Sequence, residues 1–381
     1  MSAIYYLAAV PVLLYAVYYY FTRTFNYWKS RNVRGPEPTA FFGNIKESAL
    51  RKKNIGIVMQ ELYNAFPNEK VVGIYRMTSP CLLIRDLDII KHIMIKDFEA
   101  FSDRGVEFSK EGLGQNLFHA DGETWAALRN RFTPIFTTGK LKNMFYLINE
   151  GGDSFVEFIK TECQKKQEFD IQPLLQTYTL STISACAFGI SYDSNDDKLE
   201  TLKLVDKIFS SPSFANELDM MYPGLLKALN LSLFPTAIQK FFENLVKTVM
   251  TQRNAVREYK VPGTDLTIEK DTIVLVSPRG IHYDEKYYDN PEQFNPDRFN
   301  VEEVGKRHPC AYLPFGLGQR NCIGMRFGRL QSQLCITKLL SKFRVEPSKN
   351  TARKLEVEPR RFIIGPKGGI KLNIVPRKLR S

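Results

Sequence analysis

At 381 residues, 44% hydrophobic and 25% charged, the chain has the balance of a folded globular protein and the length to bury a substantial core, which excludes a disordered polypeptide. Its formal charge is +12, from 53 Lys and Arg against 41 Asp and Glu, so an anionic partner such as a membrane surface or an acidic protein fits. The basic residues are scattered and no RNA or DNA motif accompanies them, which argues against nucleic acid.

The chain opens with an uncharged run from Ile4 to Phe21, with tyrosines at both ends where amphipathic rings prefer the headgroup layer. Arg23, Lys29, Arg31 and Arg34 follow it. Positive charge stays on the cytoplasmic side, so residues 1–22 are expected to form a transmembrane signal anchor with the body of the chain in the cytosol. Residues 23–38 are a basic, Pro-rich hinge, in which Arg34-Gly-Pro-Glu-Pro38 is stiff and denied helix by its two prolines. Residues 39–381 are expected to form one domain. Strand-like runs at Val71 to Tyr75 and Cys81 to Ile84 alternate with helical patterns, the longest lying between Asp121 and Met250. From Val261 to Gly324 the sequence is dense in Pro and Gly. A helix and a final hairpin follow, with Ile370, Leu372 and Ile374 alternating after a turn at Pro366 to Gly369. The expected fold class is mainly α with a smaller β-rich part.

The six cysteines, at 81, 163, 186, 310, 322 and 335, include no CxxC pair, so neither a zinc site nor a disulfide framework is indicated. Most read as small buried hydrophobes. Cys322 departs from that pattern because it stands in Phe315-Gly-Leu-Gly-Gln-Arg-Asn-Cys-Ile-Gly324. Gly316 and Gly318 allow a tight backbone, Arg320 offers a planar fork of donors, and Gly324 lets a following helix approach closely. Phe327, Leu330 and Leu334, then Ile336, Leu339, Leu340 and Phe343, recur at helical spacing, so Cys322 lies just ahead of a helix whose N-terminal N–H groups favour a thiolate.

At every specified position this segment matches the FxxGxRxCxG haem-ligand loop of the cytochrome P-450 family, which the chain resembles over nearly its whole length. Gln319 stands where relatives often carry proline. The resemblance implies the cytochrome P-450 fold, heme bound through Cys322 as the iron ligand, Phe315 covering the sulfur, and Arg320 on a haem propionate. A thiolate ligand pushes electron density into the iron and favours O–O cleavage. Trp125 and Arg129, four apart on a predicted helix, look like the family's WxxxR propionate pair. Asn295-Pro-Asp-Arg-Phe299 looks like its PxRF segment, which makes Arg298 a structural candidate in a buried ion network. Phe41-Phe-Gly-Asn44 and Gly139-Lys-Leu-Lys-Asn-Met144 extend the likeness.

The chain is most similar to the insect microsomal branch that oxidises foreign lipophilic compounds. The resemblance therefore implies a monooxygenase of the endoplasmic reticulum membrane, taking electrons from an NADPH-dependent flavoprotein reductase and acting on a lipophilic small molecule. Substrate contacts would come from Phe101 to Phe118, Phe209 to Phe242 and the turn near Phe362 to Ile364. The family's acid-Thr helix and ExxR helix are both missing, which places an internal deletion near residues 257–260 and leaves no catalytic residue to assign. The formal ExxR from Glu358 to Arg361 contains Pro359 and lies past the haem loop. The alternative is accordingly a non-catalytic, membrane-bound remnant.

Overall fold

The computed structural model describes residues 2–105, 117–118, 120–189, 251–359 and 364–377. Its helices are α1 (Ser2–Thr22), α2 (Lys46–Ala49), α3 (Ile55–Asn64), α4 (Leu87–Lys91), α5 (Gly122–Phe132), α6 (Thr138–Cys163), α7 (Ile171–Phe188), α8 (Pro278–His282), α9 (Val301–Lys306) and α10 (Met325–Lys342). Its strands are β1 (Val71–Arg76), β2 (Ser79–Ile84), β3 (Glu168–Asp170), β4 (Thr251–Asn254), β5 (Tyr259–Lys260), β6 (Thr267–Ile268), β7 (Ile273–Val276), β8 (Phe343–Pro347) and β9 (Lys371–Pro376). The described residues fall into two compact units, which divide between Leu128 and Arg129 and again between Asn321 and Cys322.

The first unit is organised by a four-stranded sheet in the order β1-β2-β7-β4. β1 and β2 form the antiparallel hairpin that the two strand-like runs indicate, β2 lies parallel to β7, and β4 is antiparallel to β7. The Ile-Val-Leu-Val of β7 is buried at all four positions, as a strand covered on both faces requires. Val72, Ile74, Cys81 to Ile84 and Leu275 are fully buried around it. The hinge is pinned to this sheet rather than free. Gly73 donates to the carbonyl of Arg34 at 2.9 Å, and Trp28 Nε1 donates to the carbonyl of Ile74 at 3.1 Å. A Cβ at Gly73 would meet the Trp28 ring at 2.4 Å, so only glycine lets that indole seat.

α1 is helical over the uncharged N-terminal run, and Val10, Val12, Leu13, Leu14 and Tyr18 to Tyr20 are exposed along it. Among the described residues, no helix is long and apolar enough to cross a membrane.

His282, at the end of α8, accepts a hydrogen bond from the N–H of Leu313 at 2.9 Å through Nε2, which requires the neutral ring. Burial pushes its pKa down to about 4. A base depressed on folding gives stability that is present above its unfolded value near 6.5 and lost as pH falls from there toward 4. Unfolding in denaturant is therefore expected to require up to about 2 kcal/mol less at pH 5 than at pH 7 on account of this group. His282→Gln, which keeps a neutral acceptor in place, should flatten that part of the profile.

The second unit packs α6, α7 and α10 over a three-stranded sheet, β3-β9-β8. Phe155, Ile159, Phe169, Cys335, Leu339, Phe343 and Ile374 make its main core. The final strand is not one arm of an isolated hairpin. β9 runs through the middle of the sheet because Glu168 to Asp170 pairs with Lys371 to Asn373 along its second edge. Asp170 anchors that edge by accepting from the N–H groups of Gln172 at 3.2 Å and Ile370 at 3.1 Å. Gly369, at φ +79°, supplies the turn, and a Cβ there would strike the Asp170 carboxylate. The chain's long helices do begin near Asp121, as α5, α6 and α7, while residues 190–250 lie outside the described residues.

Candidate haem-binding site

The ligand loop folds as its glycines indicate. Gly316 and Gly318 both sit at φ +72°, a conformation costly for any residue with a Cβ. At Gly318 the limit is also steric, since a Cβ would come within 1.8 Å of the Met94 carbonyl oxygen. Gly324 is different. Its φ is −87°, a Cβ there would meet only the Phe136 ring at 3.8 Å, and it serves as the residue that caps α10. Phe315 is half-buried, and the N–H of Gly316 donates to the carbonyl of Leu313 at 3.2 Å.

In the first unit, Arg320 is buried, with its guanidinium 4.3 Å from the centre of the Trp125 ring. It donates from Nη1 to the carbonyl of Ala120 at 2.8 Å and from Nη2 to Asp121 Oδ1 at 3.2 Å. Trp125 is itself buried and packs on Phe98. The two sequence-derived propionate candidates of this unit are thus brought together, and Asp121 holds the arginine. Asp121 also accepts from the N–H groups of Arg104 at 2.7 Å and Gly105 at 3.1 Å. Burial nevertheless raises its pKa, opposed first by the Arg104 N–H.

Sequence reasoning missed Asp121, Gln252 and Arg253. Gln252 Oε1 accepts from Arg76 Nη1 at 2.9 Å, and its Nε2 donates to the Arg104 carbonyl at 2.8 Å. Arg253 is 2% exposed, donates to the carbonyl of Gln252 at 2.8 Å, and has an Nε without a hydrogen-bond partner among the described residues. Burial pushes its pKa down to about 9; the charge of Arg320 acts in the same direction and that of Asp121 against it. Asp121 precedes a helix as Asp-Gly-Glu, a signal that could have been read, but nothing local to Arg253 marks it as buried.

In the second unit, Cys322 is half-buried, forms no disulfide, and stands two residues before the Gly324 cap of α10, with its carbonyl accepting from the N–H of Met325 at 3.3 Å. Arg129 lies within its electrostatic reach. Burial lowers the pKa of Arg129, and the negative charge of the Cys322 sulfur opposes that shift. α10 itself is fixed by a buried line of Phe327, Gln331, Cys335 and Leu339; Ile336 and Leu340, expected on that stripe, are exposed.

Arg298 differs from expectation. It is half-buried rather than buried, and its guanidinium donates to the carbonyls of Asn290 at 2.7 Å and Gln293 at 3.2 Å. Backbone oxygens take the place of a carboxylate, so the cost of an unpaired buried charge does not arise. Of the expected substrate segments, residues 106–116, Phe209 to Phe242, and Phe362 and Ile363 lie outside the described residues.

Taken unit by unit, the residues present suit the parts of a thiolate-ligated, carboxylate-bearing macrocycle. In the first unit the buried Arg320 guanidinium beside Trp125 suits a carboxylate group, and in the second unit, by itself, a free cysteine ahead of α10 suits a thiolate ligand. The family model for cytochrome P450 matches residues 33–256 and 244–373. The chain belongs to the cytochrome P450 family. Cytochrome P450 6B2 of Helicoverpa armigera is 58% identical to it, with 99% of each chain covered, in an alignment 501 positions long against the 381 residues here. Cytochrome P450 6B1 of Papilio polyxenes is 42% identical over 98% of this chain and 100% of its own. Cytochrome P450 6k1 of Blattella germanica is 27% identical over 97% and 96%. By that membership the chain is a haem-thiolate, iron-dependent monooxygenase, of a family that uses a reductase as redox partner and lipophilic substrates. When bound, haem with a thiolate ligand would supply oxygen activation, and the residues described in each unit are the candidates to hold it.

Proposed function

We propose that this P450 belongs to the lineage that inserts one oxygen atom of O2 into lipophilic small molecules, with electrons from NADPH through a flavoprotein reductase. The observation that carries the reading is Cys322, free, half-buried and facing the charge of Arg129 ahead of α10. Residues 1–22 anchor the chain in the endoplasmic reticulum membrane with its body in the cytosol. Supporting that placement, apolar side chains of α1 from Val10 to Tyr20 are exposed, and Arg23, Lys29, Arg31 and Arg34 follow with positive charge.

The reductase docks on basic residues of the second unit. Arg131, Lys140, Arg326 and Arg329 are exposed, and Arg326 Nη1 donates to Thr138 Oγ1 at 3.0 Å, which ties the start of α10 to the start of α6. Arg129, committed to the Cys322 surroundings, is not a member of that face. In microsomes, reversing Arg326 and Arg329 together to glutamate is expected to weaken reductase binding about 10-fold or more at low salt, with the difference shrinking as the Debye length falls. Alkaline extraction of the same microsomes should leave both proteins in the pellet. Unchanged affinity removes this face, and release into the supernatant removes the anchor.

A second reading concerns this chain as it stands. The 501-position alignment and the two-part family match favour an internal deletion that removes the acid-Thr and ExxR helices. The overlap of the two parts at residues 244–256 favours a junction slightly ahead of residues 257–260. On this reading the enzyme class is inherited, while the haem-holding residues remain without the oxygen-activating ones. Sequencing the transcript across the codons for residues 244–260 tests it, and an intact reading frame carrying those helices rejects it.

A further inference from the structure

The chain enters the ligand loop through Leu313, and a side chain from another element of the first unit holds that entrance. His282 ends α8, which follows directly on β7 and is capped by Ser277, whose hydroxyl accepts from the N–H of Gly280 at 3.1 Å. Its Nε2 accepts from the N–H of Leu313, a buried residue, at 2.9 Å. The carbonyl of the same Leu313 accepts from the N–H of Gly316 at 3.2 Å, and Gly316 is the first of the two loop glycines at positive φ. Leu313 therefore gives its donor to an imidazole and its acceptor to the tight part of the loop. The imidazole stands on a firm base, since a Cβ at Gly280 would meet the Tyr63 ring at 2.7 Å.

Only a neutral ring has a nitrogen free to accept; a protonated one would turn an N–H against the N–H of Leu313. The groups facing His282 do not favour its charged form. Tyr288, whose ring is 6.4 Å away, donates its hydroxyl to the Ala311 carbonyl, and the Tyr312 ring lies at 5.5 Å. Arg307 lies 4.5 Å from the centre of the Tyr288 ring and brings positive charge to that side. Near α8, Arg279 donates to Gln60 Oε1, and Asp284 is engaged by the Tyr63 hydroxyl and by Arg85. Burial alone accounts for the low basicity of the ring.

We propose that His282 is a positioning residue for the haem-ligand loop: as a neutral acceptor it holds Leu313 and, through Leu313, the turn at Gly316, and on protonation it releases them while the four-stranded sheet stays folded. The hold stands on contacts within the first unit; its consequence for haem rests on the reading of Cys322 as the ligand. Because the closed loop disfavours the charged ring, the hold is complete above the ordinary histidine value near 6.5 and is lost as pH falls from there toward 4.

Hydrogen exchange on the full chain in detergent micelles, with each rate corrected for the intrinsic rate at that pH, tests the hold. Protection of the Leu313 and Gly316 amides should be about 10-fold or more lower at pH 5 than at pH 7, and at both pH values below that of the β7 amides. His282→Gln, which keeps a neutral acceptor, should hold the pH 7 level at both. His282→Leu, which accepts nothing, should give the low level at both; should it fail to fold, the parent and His282→Gln still decide. Loaded with haem, the parent should lose its reduced, carbon-monoxide-bound thiolate band between pH 7 and pH 5 at unchanged far-UV circular dichroism, and His282→Gln should keep it. Equal protection of the loop and β7 at each pH would mean that the histidine acts on the fold as a whole. A loop indifferent to pH in the parent, or the same fall in His282→Gln, would mean that it holds nothing. Either result overturns the proposal, whereas the expected exchange without a thiolate band in either protein at pH 7 would support the hold and reject Cys322 as the ligand.

Discussion

Cys322→Ala is expected to abolish the thiolate-type absorption band of the reduced, carbon-monoxide-bound protein, whereas alanine at any of the other five cysteines should leave it. The reason is a contrast in surroundings. Burial pushes Cys186, Cys310 and Cys335 up to about 11, and raises Cys81 and Cys163 as well. A thiol at that level is ionised in only about one molecule in 10⁴ at pH 7. For Cys186, Cys310 and Cys335 a thiolate at neutral pH therefore carries a large cost. Cys322 is half-buried, stands at the start of an 18-residue helix, and has the Arg129 guanidinium in reach. Spectra of the six single variants, each loaded with haem, make the comparison. A surviving thiolate band in Cys322→Ala, or its loss in Cys310→Ala alone, would reassign the ligand.

Those surroundings were legible in the sequence where the information was local. Ten consecutive residues carry the ligand loop, and the positive φ values of Gly316 and Gly318 are what glycine at those positions permits. The β1–β2 hairpin and the start of α10 at Met325 followed from short-range hydrophobic pattern for the same reason. What the sequence concealed depends on partners far along the chain. Arg320 meets Asp121 from 199 residues away, and Gln252 meets Arg76 across 176. Residue type misled at two places. On α10, whose helical spacing the sequence carries, Ile336 and Leu340 are exposed and Gln331 takes a buried position. Its side-chain Nε2 donates to the Thr179 carbonyl at 3.0 Å, so a polar side chain is tolerated there, and the Tyr178 hydroxyl donates to its backbone carbonyl. Arg298 looked like a member of a buried ion network, yet two backbone carbonyls hold it at the half-exposed surface.

The full chain, reconstituted with haem, reductase and a lipophilic probe substrate, is expected to give oxygenated product at a rate on the order of 10²–10⁴ below that of a relative carrying the acid-Thr and ExxR helices. Oxygen activation needs protons passed by groups held within hydrogen-bond reach, and the deletion proposed above would take away the acid and threonine that the family resemblance implies for this step. The threonines nearest to substitutes are those of α7, and their hydroxyls are already engaged. Thr177, Thr179 and Thr182 donate to the carbonyls of Pro173, Leu175 and Tyr178 at 2.8–2.9 Å, each to its own helix. Freeing one would break that bond without bringing an acid beside it, because the segment from Ile171 to Phe188 contains no Asp or Glu. A wall missing from the oxygen side would also admit water, which diverts electrons from product to reduced oxygen. Mass spectrometry of product together with consumption of NADPH separates the two losses, since uncoupling spends NADPH without product and a failure of electron entry spends neither. NADPH consumption with product near the relative's level would mean that proton delivery comes from residues outside that pair of helices, and would end the case for a chain competent only to hold haem.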